Sequence, residues 1–373
     1  MTKKLFSIDW LLFFATVPII VAGLLTMNSF NDKGIYFERQ IVWVGVSFLL
    51  FIALSHVDFR FLKRTGVLVV LFSFITGLLL LLFVVGHISK GAESWFRLGF
   101  FSVEPSDPAQ IVLVLLLAKY FSRRHIEIRN VRHIIISGLY AFIICFLILI
   151  QPDFGGAIIM FIIWFGMVLV SGISKKHFIL VVLIGLTSFA GLWLYVLKPY
   201  QKDRIITFVK PLSDIHGAGY NVDQSRVAIG SGQILGKGVG YGTQSRLNFL
   251  PEYRTDFIFA AFAEEWGFVG SILLFTLYGV VIWRILANAM LGASNFEILY
   301  GLGIAIFLSA HFVVNVGMNI GIMPVTGVTI PFMSYGGSHL VTEFTALGIL
   351  MGMRRYRRNA HREIVRNEFT NVQ

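Results

Sequence analysis

The sequence predicts an all-α, polytopic integral membrane protein with about ten transmembrane helices and a large extracytoplasmic loop between spans 7 and 8. Three observations predict it. Of 373 residues, 56% are hydrophobic and only 14% charged, with a mean hydropathy of +0.78, outside the range of a water-soluble domain. The apolar runs are continuous rather than alternating, so their backbone is satisfied within helices and not in a barrel. Lysine and arginine cluster in alternate connections, which fixes an orientation.

The chain begins MTKKLFSIDWLLFF, with Lys3 and Lys4 ahead of an apolar stretch and no small-residue cleavage site, and so reads as a retained first span, Trp10 to Met27. The runs that follow are Ile41 to Val57, Val67 to Val85, Ala109 to Phe121, Ile134 to Ile150, Gly155 to Ile173, Phe178 to Leu197, Phe257 to Ile285, Leu299 to Val316 and Leu340 to Met353, two of them short for a span. Arg60, Lys63 and Arg64, then Arg123, Arg124, Arg129 and Arg132, then Lys175, Lys176, Arg284 and the tail from Arg354 all fall on one side, which becomes the cytoplasm. Both termini lie there. The chain is one transmembrane domain over 1–373, with 198–256 as the outer loop and 354–373 as a basic cytoplasmic tail. Cys145, the only cysteine, lies inside an apolar run, so no intrachain disulfide forms.

The net charge of +11 is partly this topology and the attraction of the tail to anionic headgroups, and nucleic acid is not a partner it points to. The outer loop is basic as well, through Lys198, Lys202, Arg204, Lys210, Arg226, Lys237, Arg246 and Arg254, and the positive-inside rule does not account for that. An anionic ligand does, and a lipid-linked pyrophosphate suits the fork geometry of guanidinium groups. The glycines of AIGSGQILGKGVGYGTQ, residues 228–244, fail as a nucleotide loop, because Ser231 and Gly238 stand where a phosphate loop needs Gly and Ser or Thr. Close backbone packing or the wrapping of a ligand remain.

Acids at or within the spans are the other candidates. Asp153 in QPDFGG is either the N-cap of the sixth span or a carboxylate facing a cavity. Glu104 and Asp107, around Pro105 and Pro108, stand at the mouth of the fourth. Asp256 is open to the same two readings: either Thr255 or Asp256 caps the eighth span, or Asp256 faces a cavity at its mouth. Glu264 and Glu265 lie about two turns further in and about 100° apart around the helix, so one of them is expected to pair or to face an aqueous pocket. Glu264 falls on nearly the face of Asp256, and the two are expected to line one groove.

The stretches GAESWFRLGFFSVEPSDPAQ, QPDFGGAI, PYQKDRIITF, GYNVDQSRVAIGSGQILGKGVGYGTQ, FLPEYRTDFIFAAFAEEWGFVG and VGMNIGIMPVTGVTIPFMSYGGS occur in the order in which the SEDS family carries its signatures. The chain resembles this family of RodA- and FtsW-type cell-wall polymerases over nearly its whole length, and its SIDW start and short tails are closer to RodA. Where the family has Q-P-S-E and a lysine three places on, this chain has Glu104-Pro105-Ser106-Asp107 and then Gln110, so the role of that cation is not carried over.

The resemblance implies a peptidoglycan glycosyltransferase of the bacterial cytoplasmic membrane that polymerises lipid II on the outer face during elongation and shape maintenance, releasing undecaprenyl pyrophosphate. The family's essential acid falls on Asp256, a base for the acceptor hydroxyl. Lys202, Arg204 and Lys198, with a divalent cation such as Mg or Mn as an alternative source of charge, are expected to hold the leaving pyrophosphate. Asp153, Glu104, Asp107, Glu264 and Ser338 complete the expected substrate-binding set. The implied partner is a class B penicillin-binding protein, a single-span transpeptidase. Rival functions are a flippase or transporter for the lipid-linked precursor, with Asp153, Glu264 and Glu265 as relay groups, and a scaffold for the transpeptidase.

Overall fold

The computed structural model describes residues 8–30, 35–85, 87–89, 92–98, 101–123, 131–195, 199–209, 217–247 and 249–370. Each apolar run became a helix: α1 (Trp10–Asn28), α2 (Ile35–Ser55), α3 (Thr65–Val85), α4 (Ser106–Ser122), α5 (Val131–Ile150), α6 (Phe154–Val170) and α7 (Lys175–Tyr195). Then come α8 (Pro199–Val209), α9 (Ala218–Ser231) and the short α10 (Thr243–Arg246) in the expected outer loop, followed by α11 (Ile258–Met290), α12 (Asn295–Ile320) and α13 (Gly337–Thr370). Among the described residues, α1, α2, α3, α5, α11 and α12 are the six helices long and apolar enough to cross a membrane. The structure departs from the all-α reading between α3 and α4, where β1 (His87–Ser89), β2 (Ala92–Leu98) and β3 (Phe101–Val103) form a small antiparallel sheet with Phe96 opposite Val103.

The burial pattern is that of a bundle in lipid. Val70, Leu80 and Val84 on α3 and Ile179 and Leu183 on α7 point outward, while polar side chains are enclosed between helices. Lipid tails are as apolar as leucine, so helices associate through close contact and internal hydrogen bonds rather than through escape from water. α4 shows this best. Its 17 residues are buried nearly all round, including Asp107 and Gln110, with α12 and α6 against it. Gly303 of α12 permits that approach: a Cβ there would stand 2.5 Å from Cγ1 of Val114 and 3.1 Å from Sδ of Met167.

One end of the bundle is stitched by ions from distant connections. Asp9 caps α1 through Leu12 N–H at 3.2 Å and binds Arg284 at 2.5 Å, Asn288 at 2.7 Å and Arg354 at 3.2 Å, while Lys63 pairs with Glu297 at 2.7 Å. The site lies toward the other end.

α11 is not a single rod. Gly267 has φ 66° and ψ −163°, which breaks the helix after two turns. The carbonyls and amides freed by the break are taken up by the glycine-rich segment: Lys237 and Gly238 N–H donate to Glu264 and Glu265 O at 3.0 Å each, and Phe268 and Val269 N–H donate to Gln233 and Ile234 O at 2.9 and 3.1 Å. Backbone meets backbone here. A Cβ on Gly236, at φ 82°, would lie 2.5 Å from the carbonyl carbon of Glu265, and one on Gly232 would run into Ala263 O, so close packing is what these two glycines do.

Candidate active site

Asp256 lies two residues before α11 and is not its N-cap; the N-cap is Phe257, and the first turn is met instead by Asn319, whose Oδ1 accepts from Ala260 N–H at 3.2 Å. The capping alternative is thereby removed. Its backbone is held from two sides. The carbonyl of Asp256 accepts from Nδ2 of Asn315 at 2.9 Å and of Asn319 at 3.0 Å, two residues one turn apart on α12. From the segment before α13, Oγ of Ser334 donates to Thr255 O at 2.6 Å and Tyr335 N–H donates to Arg254 O at 2.9 Å. Asparagines inside an apolar helix are costly unless bonded, and here they tie the carbonyl of Asp256 to Val328 O and to the first turn of α11 at Ala260 N–H. The carboxylate itself is half-buried and faces Gly327, where a Cβ would come within 3.5 Å of Oδ2.

Around it the fold gathers acids from far apart in sequence. Asp153 is the N-cap of α6, accepting from Gly156 N–H at 2.9 Å. It also feels the charges of Asp107, Arg204 and Asp256, so the cap and cavity readings are not exclusive. Withdrawal from water lifts its carboxyl to about 6; the negative charges of Asp107 and Asp256 add to that rise, against the pull of Gly156 N–H and Arg204. Glu104 rises well above the usual carboxylate range, first through burial and then through Asp107 and Asp153. Its Oε1 accepts from Ser106 Oγ at 2.8 Å and its N–H donates to Ser338 Oγ at 3.2 Å, which brings Ser338 to the same place. Glu104, Asp107, Asp153, Asp256, Arg204 and Ser338 thus form one neighbourhood.

Arg204 enters from α8, where it also lines a shallow, partly open recess with Thr207, Phe208, Arg226, Met323 and Pro324. Lys202, two residues away, turns toward Trp193, with Nζ 6.0 Å from the ring centroid. Lys198 lies outside the described residues. Arg254 stacks on Tyr36 and Tyr253 with its guanidinium 4.1 and 4.8 Å from their ring centres.

Glu264 is not brought to this neighbourhood, and the groove expected between it and Asp256 does not form, because Asp256 lies outside the helix whose periodicity the expectation used. The Glu264 carboxylate is fully buried and accepts from Lys237 Nζ at 2.7 Å, Thr243 N–H at 2.8 Å, Thr243 Oγ1 at 3.0 Å and Gln244 N–H at 3.1 Å. Glu265 accepts from Gly240 N–H at 3.0 Å and from Ser29 Oγ. Both glutamates hold the glycine-rich segment, from different faces of α11.

Sequence reasoning passed over a second set of buried polar side chains behind the acids. Nδ1 of His339 is 3.0 Å from Oδ1 of Asp107, and its Nε2 is 2.9 Å from Oε1 of Glu343. Oε2 of Glu343 accepts from Phe332 N–H at 2.9 Å. Gln110, at the place of the family lysine, lies 2.8 Å from Nε2 of His311. The available signal was spacing: His311, Asn315 and Asn319 recur every four residues on α12, as do His339 and Glu343 on α13. Carboxylate oxygens are the donors that Mg²⁺ or Mn²⁺ takes, but among the described residues no three acids or histidines converge as a preformed cage.

The chain matches the family model FtsW/RodA/SpoVE, described as "Cell cycle protein", over residues 3–359. It is 33% identical to Stage V sporulation protein E of Bacillus subtilis, over 96% of this chain and 100% of that one. It is also 33% identical to the peptidoglycan glycosyltransferase MrdB of Escherichia coli K12, over 92% of each. Among solved structures, a chain described under "Structural coordination of polymerization and crosslinking by a peptidoglycan synthase complex" superposes with a TM-score of 0.80 at 32% identity, covering 94% of this chain and 98% of that one. The rod shape determining protein RodA of Thermus thermophilus does so at 0.71 and 30% identity, over 94% and 97%.

Proposed function

The chain belongs to the FtsW/RodA/SpoVE family, and from that premise we propose that it is a membrane-embedded peptidoglycan glycosyltransferase that joins lipid II disaccharides into glycan strands during elongation. The site would lie on the outer face of the cytoplasmic membrane, with about ten spans, both termini in the cytoplasm and residues 198–256 outside. The observation that carries the reading is Asp256: a half-buried carboxylate at a helix mouth, facing Gly327 and sensed by Asp153, whose backbone is fixed by Asn315, Asn319 and Ser334.

The donor sugar is α-linked to pyrophosphate and the product linkage is β, so the acceptor 4-hydroxyl attacks once with inversion. Asp256 takes the proton of that hydroxyl as general base. The leaving pyrophosphate requires positive charge rather than a proton. Arg204 supplies it from beside the acids, and the recess it shares with Arg226 is where the phosphates would sit. Lys202 reaches the same phosphates by leaving Trp193. Asp153 and Glu104, with carboxyls pushed upward, offer hydrogen bonds to sugar hydroxyl and amide groups. The partner would be a penicillin-binding transpeptidase that cross-links the strands.

Purified wild-type protein, alone and with such a partner, is given labelled lipid II and the products are resolved by length. Polymer from wild type and none from Asp256→Ala is the expected outcome; an Asp256→Ala protein that polymerises at the wild-type rate would sink the mechanism. The transport reading needs the decisive acid at mid-membrane. Glu264, the acid closest to that description, is fully engaged by the protein itself.

A further inference from the structure

Behind the acids, the side chains from α4, α12 and α13 make a buried chain whose proton count is constrained by geometry. A neutral imidazole has one N–H, so it can donate at only one nitrogen. His339 has a carboxylate oxygen at both, Asp107 at 3.0 Å and Glu343 at 2.9 Å, and all three residues are at least nine-tenths buried. Two carboxylates closed off from water with no cation between them would cost several kcal/mol per ion, whereas an imidazolium donates to Asp107 through Nδ1, stands at ion-pair distance from Glu343 through Nε2 and offsets one charge. The neighbouring His311 ring is 4.6 Å away at 41°. Its Nδ1 donates to Thr329 O at 3.2 Å and its Nε2 lies 2.8 Å from the Gln110 side-chain amide, which, turned so that its NH2 faces Nε2, donates to a neutral ring.

The chain continues beyond Glu343. Its second oxygen holds the N–H of Phe332, a bulky residue at φ 60°, a conformation that persists only where the surroundings impose it. Two residues on, Ser334 accepts from Ile330 N–H at 3.0 Å and donates to Thr255 O, beside Asp256. Asp107 is therefore connected to Asp256 through His339, Glu343 and the turn 330–334. Oδ2 of Asp107 is buried and has no protein donor, which leaves one oxygen of the clamped carboxylate for substrate.

We propose that His339 is a positioning residue of the polymerase site: an imidazolium clamped by Asp107 and Glu343 that fixes the Asp107 carboxylate and, through the Phe332 turn, sets its placement relative to Asp256. The proposal rests on the glycosyltransferase reading. It predicts that the charge on His339 acts on turnover more than on substrate capture, because both ends of the strut are acids at the reacting sugars.

The test measures kcat and KM for lipid II polymerisation, with the detergent melting temperature, for wild type, Asp256→Ala, His339→Gln, His339→Lys, Glu343→Gln, Asp107→Asn and the double variant Asp107→Asn/His339→Gln. His339→Gln should lower kcat roughly thirtyfold or more while KM moves less than about threefold. His339→Lys, which keeps a cation, should recover part of that loss. In the Asp107→Asn background, His339→Gln should cost under about threefold, since the partner it serves is gone. Should His339→Gln fail to fold, Glu343→Gln decides, with a fall in kcat expected there too. Wild-type turnover in both His339→Gln and Glu343→Gln would overturn the proposal, as would losses that only track melting temperature with no recovery in His339→Lys. Inactive wild-type protein overturns the glycosyltransferase reading and this proposal with it, whereas active wild type with unaffected variants removes this proposal alone.

Discussion

Asp256 and Glu264 are eight residues apart in one apolar stretch, yet their carboxylates are treated in opposite ways. Glu264 is surrounded by donors on residues 237 to 244 and has no capacity left over. At Asp256 the donors go to the main chain, two asparagine amides to its own carbonyl and a serine to the carbonyl before it. A satisfied buried acid is a fastener. An acid at a helix mouth whose backbone is fixed from two sides is a tool, and its neighbours Glu104 and Asp153 are both pushed toward protonation.

The contrast is broken most directly by exchanging readouts. Asp256→Asn should lower polymerisation by roughly 10²–10⁴-fold, the usual worth of a general base, with little change in melting temperature. Glu264→Ala should do the reverse: a loss of about 3–5 kcal/mol in unfolding stability from leaving Lys237 and the donors on Thr243 and Gln244 without their acceptor. Adding Lys237→Met should return part of that stability, since it removes the stranded charge. If Asp256→Asn melts early or Glu264→Ala stays as stable as wild type, the division between tool and fastener fails.

A smaller effect sharpens the fastener side. Gly236→Ala places a Cβ 2.5 Å from the carbonyl carbon of Glu265 at a φ of 82°, so strain of about 1–3 kcal/mol is expected before any relaxation. It should loosen residues 232–244 first, seen as faster amide exchange at Lys237 and Gly238, whose N–H groups bond across the kink. Unchanged exchange at those two amides would mean that the segment is held by side chains alone.

How much of this was legible in the sequence follows from the range of the forces involved. The spans were legible because lipid demands long apolar runs, a local property, and their observed ends differ from expectation by a few residues, as at Ile35 in place of Ile41, except that α13 runs on to Thr370 where the span was expected to stop at Met353. The strands of 87–103 were not, since three-residue pieces leave no periodicity to count. Gly267 gave no hint among 36 glycines, because its φ is imposed by the docking of a segment some thirty residues upstream. For the site, the acids were identifiable one by one as charges in costly places, and Asp256 by resemblance. Their assembly was not, because Glu104, Asp153, Arg204 and Ser338 meet only through packing. His339 and Glu343 had helical spacing in their favour, but spacing does not disclose that Asp107 completes the pair.

The smallest effect concerns Asp153, the residue that belongs to both sides of the comparison, as cap and as acid of the site. Its carboxyl titrates near 6 in the folded protein and near 3.8 when unfolded, so the folded state binds the extra proton more readily between those values. Stability conferred this way is fully present below the unfolded value and is lost as pH rises through the folded one. The detergent melting temperature should therefore climb as pH is lowered from 7 toward 5, with Glu104 contributing in the same direction. Asp153→Asn keeps a side-chain oxygen for Gly156 N–H, and asparagine caps as well as aspartate does, so it should flatten part of that slope without unwinding α6. A slope that is the same in Asp153→Asn would place the titrating proton elsewhere and leave Asp153 as a cap alone.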